Sequence, residues 1–386
     1  MPKAPAQDAT GPDALFFTNF QRGRLMNAGA NRKSKRGSIL EFLRLSYQSL
    51  RPALGLLAKP ATLAQLPRLL AEGYAPVRRM FVQAHNGREI ARLLSQGQQV
   101  TFVSSFARSG NTWVRYLLSD VFLQNHGVET ATELAVHPDE IIPDFYCEMV
   151  ARRNTAVPTP GLLVKTHDLF GHLQRQFGNP VAQAPGGNCR HLYIYRTPED
   201  ALVSFYHLQL REKYVKSRAG LDIDAFCLET VKEWVAHISS YLAASESCAA
   251  VFFTSYDQLL QDPEAVLVEM LHWLGVRHTS SVVIRAVQNM QFGNLQALEA
   301  RDLADKPPVF RRGCNGSGSR ELKAATVSEI RRRTDLLLAQ ADERVARQRA
   351  KSGQSPKSMN SGAAAETPSR NGHVDILETT SRMRSV

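Results

Sequence analysis

The sequence predicts an α/β protein, a three-layer α/β/α arrangement around a mostly parallel central sheet. Three observations carry this. Four short apolar runs, Val100 to Ser104, Leu162 to Lys165, Leu192 to Tyr195 and Val251 to Phe253, read as strands. Helical patterns separate them, as crossover helices separate parallel strands. The chain of 386 residues, 43% hydrophobic, is long enough for one large domain with a substantial core, plus extensions.

Taken in order, residues 1–37 are rich in Gly, Asn, Ala and charge and are expected to form a disordered basic arm. Residues 1–60 hold ten Lys and Arg against Asp8, Asp13 and Glu41, so seven of the eleven net positive charges lie there. The basic balance is a property of this extension more than of the domain. It makes peripheral contact with a membrane surface a candidate, and non-specific nucleic-acid binding another, although a solvated arm is the plainer reading.

Residues 38–97 are expected to be a helical extension. Ile39, Leu40, Phe42, Leu43, Tyr47 and Leu50 recur at helical spacing and suit packing on the main domain. The domain itself is expected over 98–350. Its first strand ends in the string SSFARSGN and is followed by the apolar-periodic TWVRYLLSDVFL, giving strand, loop, helix. Thr197, Pro198, Glu199 and Asp200 form a helix start with a hydroxyl cap, proline at the first position and early acids. Asp262 and Pro263 start another, which Gly275 closes. From Lys351 a Ser/Gly/Pro-rich polar tail is expected to be disordered.

Five cysteines, at 147, 189, 227, 248 and 314, are odd in number and hold no C-x-x-C pair. Neither a disulfide framework nor a zinc site is suggested, and a reducing, cytoplasmic setting fits. No apolar run approaches the roughly 18 to 20 residues that span a bilayer, and the start lacks a secretory layout, so no transmembrane segment is expected.

The loop Ser105 to Trp113 leads from a strand to a helix, where backbone N–H groups and the positive helix end can cradle an anionic phosphate. A Walker A loop reads G-x-x-x-x-G-K-[ST]. Here Ser105 stands for the first glycine and Asn111 for the lysine, which weakens a nucleotide kinase reading. The cation comes earlier, at Arg108, and Trp113 offers a face to a purine. This loop resembles the 5′-phosphosulfate loop of the sulfotransferases that use 3′-phosphoadenosine-5′-phosphosulfate (PAPS), S-Y-P-K-S-G-T-T-W, with Ala107, Arg108 and Asn111 as departures.

Three further segments strengthen the resemblance, and do so in the family's order. Lys165-Thr-His167 resembles its K-T-H motif. Arg196-Thr-Pro-Glu-Asp-Ala-Leu-Val-Ser204-Phe-Tyr-His207 resembles R-N-P-x-D-x-x-V-S-x-Y-H, and Arg311-Arg312-Gly313 resembles the start of R-K-G-x-x-G. The similarity covers about residues 98 to 345.

The resemblance implies a P-loop-like phosphosulfate-binding loop and a cytosolic-type sulfotransferase domain that moves a sulfuryl group from PAPS to a hydroxyl or amine. His167 would be the catalytic base, with Lys165 and Arg108 stabilising charge on the leaving phosphate. Arg108, Ser109, Gly110, Asn111 and Thr112 would hold the 5′-phosphosulfate, and Arg196 and Ser204 the 3′-phosphate, with Arg311, Arg312 and Gly313 closing over it. Trp113 and Phe292 would stack on the adenine, near Tyr256. Met290 and Gln291 replace the family's usual Thr-Ser.

The physical reasoning agrees with these roles. Guanidinium presents a planar fork to phosphate oxygens, and strand periodicity puts Lys165 and His167 on one face. A histidine with an ordinary pKa near 6.5 can accept a proton near neutrality. No metal requirement is expected, since no carboxylate cluster for Mg²⁺ is visible. The family's K-x-x-x-T-V-x-x-x-E dimerisation element is broken here by Leu322 and Arg331, so that dimer is not expected. The acceptor remains open among small alcohols, lipids and saccharides.

Overall fold

A computed structural model describes residues 74–127, 138–177, 188–212, 220–247, 250–302, 310 and 312–351. The basic arm, the first part of the helical extension, Arg311 and the polar tail beyond Lys351 lie outside the described residues. The four apolar runs pair into one parallel sheet: β1 Val100–Ser105, β2 Leu162–Thr166, β3 Cys189–Tyr195 and β4 Val251–Ser255, in the order β2-β1-β3-β4. Val100 stands opposite Leu162 and Cys189, and His191 opposite Val251. β1, β2 and β4 are buried at every residue. That burial explains why these strands read as continuous apolar runs instead of alternating ones.

Helices cover both faces. α1 is Tyr74–Ser95, α2 Asn111–Asn125, α3 Pro138–Ile141, α4 Phe170–Phe177, α5 Pro198–Glu212, α6 Ile223–Ser247, α7 Tyr256–Gln261, α8 Pro263–Leu274, α9 Ser280–Asn289, α10 Phe292–Asp302, α11 Ser317–Glu321 and α12 Ala324–Lys351. Period-two alternation assigns the strand residues to two cores. Leu192, Ile194 and Phe252 pack with α2, α8 and α9. Tyr193, Tyr195 and Phe253 pack with α5, α6 and α12. A smaller cluster joins α1 to Phe102, Leu162 and Val164. Helix α12 includes Lys351, one residue past the expected domain end.

The end signals work as their chemistry dictates. The Asp262 carboxylate accepts from the Ala265 N–H at 3.0 Å to cap α8, and Gly275 ends that helix in the left-handed region at φ 75°. At α5 the Thr197 hydroxyl is turned to the Asp200 carboxylate, 3.3 Å away. Asp200 does more than open a helix. It also accepts from the backbone N–H groups of Gly316 (2.8 Å) and Gly318 (2.6 Å), tying the segment before α11 to the start of α5.

The chain steps from β1 outward to β2, then returns past β1 to β3. Such a reversal opens a crevice at the carboxyl ends of the strands, where ligands of open α/β sheets bind. Because all four strands are parallel, the residues that follow them gather at this end: the 106–110 loop, His167, Arg196 and Tyr256.

Candidate active site

A cleft of about 900 Å³, open solvent at its mouth included, lies at this end of the sheet. Its walls include Arg108, Gly110, Asn111, Thr112, Trp113, Lys165, His167, Arg196, Ser204, Tyr256, Phe292, Arg312 and Gly313. Ser109 is buried within the same loop, and Arg311 is outside the described residues.

The loop after β1 is shaped by two left-handed residues, Arg108 at φ 67° and Gly110 at φ 98°. At Gly110 a Cβ would run into the Tyr256 ring, so the position requires glycine on two counts. Arg108 is a different matter. An arginine held left-handed costs of order 1 kcal/mol, and here the turn aims its guanidinium across the cleft, where Nε donates to Ser204 Oγ at 3.0 Å. Asn111, at the position of a Walker lysine, turns its amide back on β1 and donates to the Val103 carbonyl (2.9 Å) and to Ser105 Oγ (3.3 Å).

His167 is the first residue past β2 and is 4% exposed. Its Nδ1 lies 2.7 Å from the Ser105 carbonyl oxygen. A carbonyl only accepts, so Nδ1 carries the proton and Nε2 is left with the lone pair. Burial, and next the ammonium of Lys165, lower its pKa from 6.5 to about 3, so the ring is neutral across the physiological range. Lys165 is itself buried and pairs with Asp144, Nζ to Oδ2 2.6 Å. Asp144 reaches β2 because its loop adds a parallel bridge there, with the Phe145 N–H donating to the Lys165 carbonyl.

On the other side of the cleft, Arg196 leaves the end of β3. It donates to the carbonyls of Cys314 (2.9 Å) and Arg108 (3.4 Å), lies 3.8 Å from Asp200, and has its guanidinium 4.4 Å over the Tyr256 ring. Trp113 donates its indole N–H to the Met290 carbonyl at 2.9 Å and meets Tyr256 edge-on. Phe292 stands where a Cβ on Gly313 would have to go, and Gly313 is left-handed at φ 61°. Arg312, half exposed, pairs with Glu321 at 3.0 Å.

The comparison with known families decides the identity. A family model described as "Sulfotransferase domain" matches residues 98–342, well over half of the chain. The chain belongs to this family. Cytosolic sulfotransferase 7 of Arabidopsis thaliana is 25% identical over 186 residues, covering 45% of this chain and 55% of that relative. Flavonol 3-sulfotransferase of Flaveria bidentis is 26% identical over 215 residues, covering 51% and 65%. The chain thus spans less than two thirds of the length of these two relatives. Among solved structures, a mouse sulfotransferase, SULT7A1, complexed with PAP is 17% identical, with 67% of this chain and 94% of that one covered and a TM-score of 0.45.

The sulfotransferase domain offers groups that suit a PAPS-like anion. Arg196 Nε and Asn111 Oδ1 are buried without a hydrogen-bonding partner, and both residues line the cleft. A buried guanidinium N–H in that condition matches a phosphate oxygen, and the amide oxygen a donor. Two organising residues escaped the sequence reading. Asp144, 21 residues ahead of Lys165, carries no local signal of its pairing. Asp200 looked like a helix-start acid, yet it gathers the Gly316–Gly318 turn beside Arg196. Leu260 and Leu295 also line the cleft and were unmarked in the sequence; Phe310 and Ser317, on either side of the Arg311-Arg312-Gly313 element, line it too. Among the described residues no set of three or more His, Cys, Asp or Glu side chains could hold a metal ion, and no helix is long and apolar enough to cross a membrane.

Proposed function

We propose that this sulfotransferase domain transfers the sulfuryl group of PAPS to a hydroxyl, or an amine, of a small acceptor. The observation that carries the reading is the lining of one cleft by Lys165 and His167 together with Arg108, Arg196 and Ser204. One half is suited to proton removal and the other to phosphate binding. When bound, PAPS supplies an activated sulfuryl group on a good phosphate leaving group.

The residues divide the work. His167, its Nδ1 proton directed at the Ser105 carbonyl, takes the acceptor proton on Nε2 as the new S–O bond, or S–N bond for an amine, forms. Lys165 and Arg108 stabilise the negative charge left on the phosphate oxygen as the old S–O bond breaks. Arg196 and Ser204 grip the 3′-phosphate, with Arg312 adding positive charge from the same cleft wall, a role that the sequence resemblance also gives to Arg311. Trp113, Tyr256 and Phe292 supply the aromatic surroundings of the base. The ligand-free pKa of about 3 would make His167 a weak base, but a multiply charged anion beside the ring stabilises its protonated form and raises that value.

A kinase reading is less well supported, because Asn111 turns toward β1 where a phosphate-reaching lysine would stand. The acceptor class draws on the flavonol sulfotransferase among the relatives and stays open beyond a small nucleophile. A cytoplasmic setting is part of the same reading, resting on an odd number of widely spaced cysteines with no C-x-x-C pair.

The test is calorimetric binding of 3′-phosphoadenosine-5′-phosphate (PAP) against ADP and AMP, without metal, on the wild type and on Arg196→Ala. The expected result is binding that requires the 3′-phosphate and weakens by roughly ten- to a hundred-fold in the variant, as for loss of a charged hydrogen bond. Equal affinity for ADP, or indifference to Arg196, would remove this reading.

A further inference from the structure

The segment 167–170 begins where β2 stops pairing, since Thr166 is the last residue of that ladder, opposite Ser104. Buried carbonyls and N–H groups beyond a ladder still need partners. They find them on one face of α6. The ring of His237 donates from Nε2 to the His167 carbonyl at 3.2 Å, and the Tyr241 hydroxyl donates to the Asp168 carbonyl at 3.0 Å. The Ser240 hydroxyl accepts from the Phe170 N–H at 3.2 Å. Positions 237, 240 and 241 are spaced i, i+3, i+4, which places them on a single helical stripe.

This stripe is costly for a helix core. His237 and Tyr241 are fully buried, where apolar side chains would avoid the desolvation of an imidazole and a phenol. What the polar atoms achieve is specific to the segment they face. The His237 tautomer is itself fixed, because the His167 carbonyl only accepts and so places the proton on Nε2, which leaves Nδ1 to accept from the Tyr193 hydroxyl 3.0 Å away. Tyr193 also stacks on Tyr241, with ring centroids 4.2 Å apart, so the two donors are braced by one strand residue.

We infer that His237, Ser240 and Tyr241 form a template that positions His167, holding its backbone so that the imidazole meets the Ser105 carbonyl and keeps its proton on Nδ1. The inference rests on His167 as the base and adds the residues that orient it. None of the three lines the cleft, so they are positioning residues. Backbone orientation at 167 sets where the ring begins, and the short Nδ1 contact across to β1 tolerates little displacement.

The test follows the His167 ring by NMR in the full chain with ¹⁵N-labelled histidine, its signals assigned through His167→Asn. In the wild type the Nδ1–H proton is expected to be slowly exchanging and the ring a single tautomer. Tyr241→Phe, which removes one oxygen, and His237→Leu are expected to speed exchange of that proton about ten-fold or more, the loss of one buried hydrogen bond. His237→Gln, which restores an N–H donor at the Nε2 position, is expected to return exchange to within about three-fold of wild type. Unchanged His167 signals in Tyr241→Phe and His237→Leu would overturn the inference. So would equal disturbance of His272, on the far helix α8, because that is general loosening. PAP binding measured on the same samples keeps the two ideas apart: a template effect without PAP affinity would sink the proposed transfer from PAPS alone.

Discussion

His167 and His191 are two buried histidines whose pKa values are both lowered to about 3 by burial, yet their surroundings have little in common. His191 lies inside β3, its ring stacked on Phe102 with centroids 5.3 Å apart and close to Phe170. Its Nδ1 has no hydrogen-bonding partner. His167 lies one residue beyond β2, with one nitrogen held by a carbonyl and the ring facing a cleft that also exposes Lys165. A perturbed titration is therefore common to a core aromatic and a candidate base. What separates them is a strand end, an assigned tautomer and access to a ligand.

The sharpest way to break this comparison is His167→Ala. Removing the proposed base is expected to reduce acceptor-dependent release of PAP from PAPS by about a thousand-fold, in the range of general-base catalysis, while PAP affinity stays near wild type. A variant that retains a tenth of the activity would return His167 to the same class as His191.

Asp144→Asn is expected to act next most strongly, and on stability as well as turnover. It strips the partner from a buried ammonium, which costs about 3 kcal/mol when the charge stays buried. It also removes a negative charge that favours the protonated form of His167. Urea denaturation is the measurement. An unaltered midpoint would mean that Lys165 swings freely into the cleft and that the pair does not hold it.

The two histidines also mark how far the sequence could be read. The strands were legible because burial on both faces leaves an apolar run, and β1 extends only one residue past the expected Val100 to Ser104. Lys165 and His167 were singled out by their resemblance to K-T-H together with a strand's period of two, and Arg196 by the resemblance of the segment it opens. Asp144 was not, since its pairing depends on a loop bridging to β2. Nor was the stripe His237, Ser240, Tyr241, because within α6 a histidine and a tyrosine among Val231, Trp234 and Ile238 read as ordinary core residues. Arg108 was legible as a cation, whereas its left-handed backbone and its reach to Ser204 follow from the packed loop. Local chemistry reaches the sequence directly; chemistry assembled across elements does not.

The smallest expected effect sharpens the comparison from the His191 side. A histidine whose folded pKa lies near 3 and whose unfolded pKa is near 6.5 binds more protons when unfolded. Its contribution to stability is complete above pH 6.5 and is lost progressively as the pH falls toward 3. His167 and His237 share the same direction and value, so the acid limb of the stability curve draws on all three rings. His191→Phe keeps an aromatic ring in the stack with Phe102 and Phe170 but cannot protonate. It is expected to flatten the decline in melting temperature between pH 6.5 and 4, to leave stability at pH 8 nearly unchanged, and to keep sulfuryl transfer within about three-fold of wild type, as for a conservative core change. An unchanged acid slope would place the His191 proton equilibrium elsewhere, and a large loss of turnover would mean that the core behind β3 reaches the cleft.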